Sequence, residues 1–193
     1  MPSLLSRLVR RFVLWLYRRK GWAVEGQAPQ ALRCVIVGAP HTSNWDFVFF
    51  IGATHEFGIE PSFMGKNSLF RWPLRRFMFD MGGVPVDRSK RGNYVEELAG
   101  EFARREELRL VIAPEGTRGP VPKWRSGFYH IALAANVPIV CAWVDLPGRR
   151  GGLGPEIELT GDFDADFKRI ASFYRSVMPD HPKLQALYRQ AGI

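Results

Sequence analysis

Apolar residues recur at helical spacing near the start of the chain. Leu4, Leu5, Leu8, Val9, Phe12, Trp15 and Leu16 share one face of a helical wheel. Arg7, Arg11 and Arg18 lie opposite with Arg10 nearby, and Leu14 is the one residue out of place. The uncharged run at 12–17 is far shorter than the ~20 residues a spanning helix needs, and no small-residue cleavage site follows it. The pattern predicts an amphipathic helix that neither crosses a membrane nor serves as an export signal. Two readings fit it equally: a helix lying in the surface of an anionic bilayer, and a helix packed on its own domain.

After a polar break at 26–30 the pattern changes. CVIVGA predicts a short buried strand, and PHTSNWDFVFFIGATHEFG predicts a loop and then a helix. Residues 61–64 suggest a short strand. Residues 68–81 suggest a helix carrying Arg71, Arg75 and Arg76, and Gly82 and Gly83 end it before the strand-like VPVDR. An amphipathic helix is expected over 94–107, then a strand and loop in LRLVIAPEGTRG. A helix over 127–136 precedes the buried strand VPIVCAWVD. GRRGGLGP reads as a loop and EIELTG as an edge strand, and helices are expected over 164–177 and after Pro182. Strands alternating with helices argue for one α/β domain with ligand groups on loops at strand ends. No repeat or linker divides the chain.

At 193 residues the chain is long enough for one substantial core. Its net charge of +8 favours anionic partners, and nucleic acid, anionic lipid and phosphorylated substrates all suit that sign. No nucleic-acid reading motif is present, and apolar strands interrupt the basic residues, so nucleic acid is not expected. Cys34 and Cys141 sit in apolar runs and read as buried thiols. There is no CxxC and no Cys/His cluster, and His41, His55, His130 and His181 are scattered, so no metal site is expected.

Three segments carry candidate chemistry. The first is residues 41–46, HTSNWD. Acyl transfer to a hydroxyl at neutral pH needs a base, and an unperturbed histidine titrates near ~6.5. A carboxylate can fix its tautomer and stabilise the imidazolium. Positions five apart on a continuous helix are about 140° from each other, so His41 and Asp46 meet only if His41 is in the loop and Asp46 in the first turn. Ser43 as N-cap would place them so. Ser43 and Asp46 also suit a plain capping arrangement, with His41 a loop residue without a role, and the hexapeptide alone favours that reading. The second segment is residues 113–118, APEGTR, after a strand. Gly116 permits close backbone approach and Arg118 can grip a phosphate in bidentate fashion, or the segment is an ordinary turn. The third is residues 83–88, GVPVDR, ending in Arg88. Lys66, Lys123 and Arg125 add cations in neighbouring loops.

In this order the segments resemble the glycerolipid acyltransferase family typified by bacterial lysophosphatidate acyltransferases. That family shows HxxxxD, a hydrophobic strand ending in Arg, a Pro-Glu-Gly-Thr-Arg-like segment and a VPIV-like strand. Here they are residues 41–46, 83–88, 114–118 and 137–140, about half the chain. The basic stretch KWRSG at 123–127 also resembles what often follows the third motif. Ala113 stands where an aromatic is common, and Pro85 where Phe is common, which bears on acyl selectivity more than on chemistry.

The resemblance implies a central mixed sheet flanked by helices, with residues 1–25 as a basic membrane-interface helix and 26–193 as an acyltransferase domain. It implies that His41 deprotonates the acceptor hydroxyl, that Asp46 orients His41, and that the hydroxyl attacks an acyl thioester of coenzyme A or acyl carrier protein. No bound cofactor is implied and no acyl-enzyme is needed, which agrees with the absence of a GxSxG elbow. Arg88 and Arg118 correspond to phosphate-binding arginines, with Lys66 assisting. Glu115, Gly116 and Thr117 correspond to acceptor-site residues, and Pro138 would shape the last strand. The implied acceptor is 1-acyl-glycerol-3-phosphate or a related lysolipid such as a lyso-ornithine lipid. The implied location is the cytoplasmic face of a membrane, with acyl carrier protein a candidate partner. A non-catalytic lipid-binding protein of the same fold is the competing reading, and the intact His41 and Asp46 oppose it.

Overall fold

The computed structural model describes residues 2–86 and 94–193, with the backbone alone at Lys66. Among the described residues seven strands form one sheet: β1 (Ala23–Glu25), β2 (Arg33–Ala39), β3 (Pro61–Lys66), β4 (Gly83–Val86), β5 (Leu108–Ile112), β6 (Ile139–Asp145) and β7 (Arg150–Ile157), in the order β1-β7-β6-β2-β5-β3-β4. From β6 to β4 every pairing is parallel. β7 runs antiparallel to β6, and β1 pairs parallel with β7, so the sheet is mixed. The helices are α1 (Leu4–Lys20), α2 (Trp45–Glu56), α3 (Arg75–Asp80), α4 (Tyr94–Arg104), α5 (Gly127–Ala135), α6 (Phe163–Val177) and α7 (Gln185–Gln190). Short 3-10 turns cover Asn67–Phe70 and Pro182–Leu184.

The parallel strands are apolar on both sides because both faces are covered. In β2, Val35 and Val37 turn to a large core shared with α4, α5, α6 and α7. Cys34 and Ile36 turn to the opposite face, where they pack with Val140 and Leu153. Farther along that face, Phe49 and Ala53 of α2 pack with Tyr17 of α1 and Val144 of β6.

The glycine-rich stretch predicted as a loop supplies residues 150–155 of β7, and β7 is an inner strand, not an edge. Its glycines are there for closeness. A Cβ on Gly152 would collide with the Glu25 carbonyl, and one on Gly151 with the Trp143 carbonyl and the Phe49 ring. The helix predicted over 68–81 is broken in two. Pro73 lies between the 3-10 turn and α3, where it cannot continue a helical hydrogen-bond ladder. The helix predicted over 94–107 ends at Arg104.

Residues 1–25 divide between two elements, since α1 stops at Lys20 and Ala23–Glu25 joins the sheet. Ser3 caps α1, accepting from the Ser6 N–H at 3.2 Å. A narrow stripe of α1, Ser6, Val13 and Tyr17, is buried. Gly52 of α2 leaves the space that the Tyr17 ring fills. Asp80 of α3 accepts from the Ser3 N–H at 2.7 Å and the Ser6 hydroxyl at 2.8 Å, tying the start of α1 down. Most of the wide apolar face stays outside: Leu4, Leu5, Leu8, Phe12 and Trp15 are each more than half exposed. Trp72, in the segment leading to α3, is 92% exposed. Among the described residues no helix is long and apolar enough to cross a membrane.

Candidate active site

The site forms where β2 gives way to α2. The helix cap falls on Asn44, not Ser43, and Ser43 instead accepts the Trp45 N–H on its hydroxyl at 3.0 Å. Asp46 still lands in the first turn, nearly buried. Its Oδ2 accepts from the Thr42 N–H at 2.6 Å and the Ser43 N–H at 2.8 Å, and lies 3.1 Å from His41 Nδ1. Its Oδ1 accepts from the Thr42 hydroxyl at 3.2 Å. The carboxylate that contacts His41 therefore also ties down the loop ahead of α2. A carboxylate can only accept, so the proton of a neutral His41 belongs on Nδ1 and the lone pair on Nε2. The His41 side chain is 32% exposed and that of Asp46 10%, so the imidazole can reach a substrate while its partner stays shielded.

A second layer holds the backbone of His41. Glu115 follows β5 and is buried, and both its carboxylate oxygens lie 3.2 Å from the His41 N–H. Burial pushes the Glu115 carboxyl up from its ordinary range, against the opposing pull of Lys183 and the His41 N–H. Lys183, in the turn before α7, forms an ion pair with Glu115. The same ammonium donates to the carbonyl of His41, to that of Thr117 at 3.0 Å and to that of Arg118 at 3.1 Å. No sequence pattern marks this lysine, because three of its four partners are backbone carbonyls.

Gly116 has φ +68°, the left-handed conformation that favours glycine, and the Arg125 guanidinium packs against the space its missing Cβ leaves. Thr117 is exposed, and its hydroxyl accepts from the Gly119 N–H at 3.3 Å. Arg118 is exposed and lines neither of the cavities described next. Pro138 accepts the Val35 N–H at 3.0 Å and so helps set β2 beside β6. Arg88 lies outside the described residues. Lys66 ends β3 opposite Val86, and its side chain is likewise outside the description.

Two cavities meet at His41. One, of about 450 Å³, is apolar and lies toward α2, between Phe47, Phe50, Phe63, Ala142 and Trp143, with Asp46 on its wall. The other, of about 640 Å³, lies toward α4 and α5 and is bordered by Pro114, Gly116, Arg125 and Phe128. His41, Phe63, Val111 and Ala113 line both. His41 thus stands between an apolar slot on one side and a recess bordered by Arg125 on the other. Among the described residues no group of three or more histidines, cysteines or carboxylates is placed to hold a metal ion.

Residues 23–145 match the family model described as Acyltransferase. Over 149 residues the chain is 26% identical to a 1-acyl-sn-glycerol-3-phosphate acyltransferase of Limnanthes alba, covering 72% of this chain and 50% of that protein. Over 143 residues it is 28% identical to the human 1-acyl-sn-glycerol-3-phosphate acyltransferase beta, with the same shares. The chain thus spans about half the length of the curated relatives it matches. The crystal structure of the 1-acyl-sn-glycerophosphate acyltransferase of Thermotoga maritima superposes with a TM-score of 0.58 at 18% identity, covering 97% of this chain and 82% of that one. At that identity the likeness speaks for the fold.

Proposed function

The chain belongs to the acyltransferase family, and from that premise we propose that it moves a fatty-acyl group from a thioester to the hydroxyl of a lysophosphatidate-type lipid. His41 Nε2 takes the hydroxyl proton as the oxygen attacks the thioester carbonyl. The new C–O bond forms, the C–S bond breaks, and the proton passes from His41 to the departing thiolate. Asp46 fixes the His41 tautomer and stabilises the imidazolium formed on the way. The observation that carries this reading is the His41–Asp46 contact, at 3.1 Å, at the junction of the two cavities.

The apolar cavity suits the acyl chain of the donor, whether coenzyme A or acyl carrier protein presents it. The cavity bordered by Arg125 suits the phosphate-bearing acceptor. On the family resemblance Arg88 and Arg118 are assigned to the acceptor phosphate and Glu115, Gly116 and Thr117 to the acceptor site; of these, Gly116 borders the recess among the described residues, and Arg118 lies outside it. The exposed apolar face of α1, on a helix that also exposes Arg7, Arg11 and Arg18, suits peripheral docking on an anionic bilayer, where a two-chain product must be delivered.

Thiol release from acyl-coenzyme A and acyl carrier protein, measured with lysolipids that carry or lack a phosphate, tests the proposal. The phosphate-bearing acceptor should be preferred. Folded His41→Ala should lose about 10²–10⁴-fold in turnover. Unimpaired transfer by that variant would sink the mechanism, and equal use of both acceptors would move the reading to another lysolipid.

A further inference from the structure

Lys183 reaches the site from the turn at Pro182–Leu184, beyond the residues that match the family model. Its side chain is only 10% exposed, so its ammonium must find partners inside the protein. Among the described residues it finds four: the carboxylate of Glu115 and the carbonyls of His41, Thr117 and Arg118. These lie on the loop after β2 and the loop after β5, so one cation ties three separate segments together. Glu115 in turn accepts the His41 N–H. The backbone of His41 is therefore held at both ends, its N–H by Glu115 and its carbonyl by Lys183.

An ordinary buried ion pair would need only the carboxylate. The three carbonyl contacts do something charge balance does not require, which is to fix where the His41 peptide sits relative to the 114–118 loop. General-base chemistry is sensitive to such placement, because a shift of about 1 Å costs on the order of 10²-fold in rate. We propose that Lys183 is a positioning residue for the base: with Glu115 it clamps the His41 backbone and sets the distance between the base and the acceptor loop. This rests on the acyl-transfer reading above.

Two variants separate clamping from charge balance. Lys183→Met removes both. Glu115→Gln combined with Lys183→Met leaves no unpaired buried charge and keeps a side-chain carbonyl for the His41 N–H, but it lacks the grip on the His41 carbonyl. Thiol-release kinetics, melting curves and backbone hydrogen exchange are measured on the full chain. Lys183→Met should lose roughly 10–100-fold in kcat with KM values within roughly threefold, because placement of the base is felt mainly in the transition state. Exchange over residues 40–46 and 114–118 should quicken by about tenfold or more as the clamp opens. The double variant should regain the lost melting temperature but not kcat. Where Lys183→Met fails to fold, the double variant carries the kinetic and exchange comparisons alone. Parental kcat and parental protection in folded Lys183→Met would overturn the proposal. So would a double variant that recovers kcat together with its melting temperature. If the parent protein releases no thiol from any donor, the acyl-transfer reading fails instead, and the exchange measurement still decides whether Lys183 clamps the loop.

Discussion

Asp46 has two tasks at the residue scale, and substitution can separate them. It receives the Thr42 and Ser43 N–H groups and it contacts His41 Nδ1. Asp46→Asn keeps an oxygen for the backbone but loses the charge that stabilises an imidazolium. It should lower kcat by roughly 10²-fold or more with little change in acceptor KM. Asp46→Ala should add a stability loss of about 1–3 kcal/mol from the Thr42 and Ser43 N–H groups left without their acceptor. Kinetics measured beside melting curves check both, and parental turnover in folded Asp46→Asn would reduce Asp46 to an anchor for the loop. This pair was legible in the sequence because a loop followed by a helical turn is what lets positions five apart meet. Arg125 was legible only as one cation among several, since its place over Gly116 depends on a left-handed turn. Lys183 was not legible, because backbone carbonyls leave no trace in a residue pattern.

For the elements, the informative case is α1. The helical wheel identified its apolar face but not its direction, and the structure turns most of that face outward while residues beyond it pack inward. Ser6, Val13 and Tyr17 pack inward while Phe12 and Trp15, stacked with ring centroids 5.9 Å apart, face out. Deleting the helix would take Tyr17 from the core as well, so point substitutions are the cleaner test. Phe12→Glu with Trp15→Glu should leave the melting temperature unchanged and reduce sedimentation with anionic vesicles by about tenfold or more, because burying one such side chain contributes roughly 1.5–3 kcal/mol. Vesicle binding that survives both substitutions would remove α1 as the docking element. A different limit applied at β7. Gly151 and Gly152 lower strand propensity, so they read as a loop. The strand forms because neighbouring backbones and the Phe49 ring need the space.

Across the whole molecule, the alternation of strands and helices announced the parallel core, because βαβ units can hardly be built otherwise. Nothing local announced that β1 would pair with β7, since that pairing joins residues 23–25 to 150–152. The sheet leaves His41 with one cavity toward α2 and another toward α4 and α5. If these hold donor and acceptor separately, a change in one should spare the other. Ala142 lines only the apolar cavity. Ala142→Phe should shift preference to shorter acyl donors and leave acceptor KM within roughly threefold of the parent. A donor-length profile checks this, and an unchanged profile with a raised acceptor KM would reverse the assignment. The reach of Lys183 to His41 also has a consequence in time. The two residues are 142 positions apart, so at roughly 5–20 residues per second the ribosome delivers the lysine about 7–28 seconds after the histidine. Throughout that interval α1 is already made, while the His41 loop waits for its last fastening. If α1 docks on lipid as proposed, the nascent chain is anchored before its site is complete.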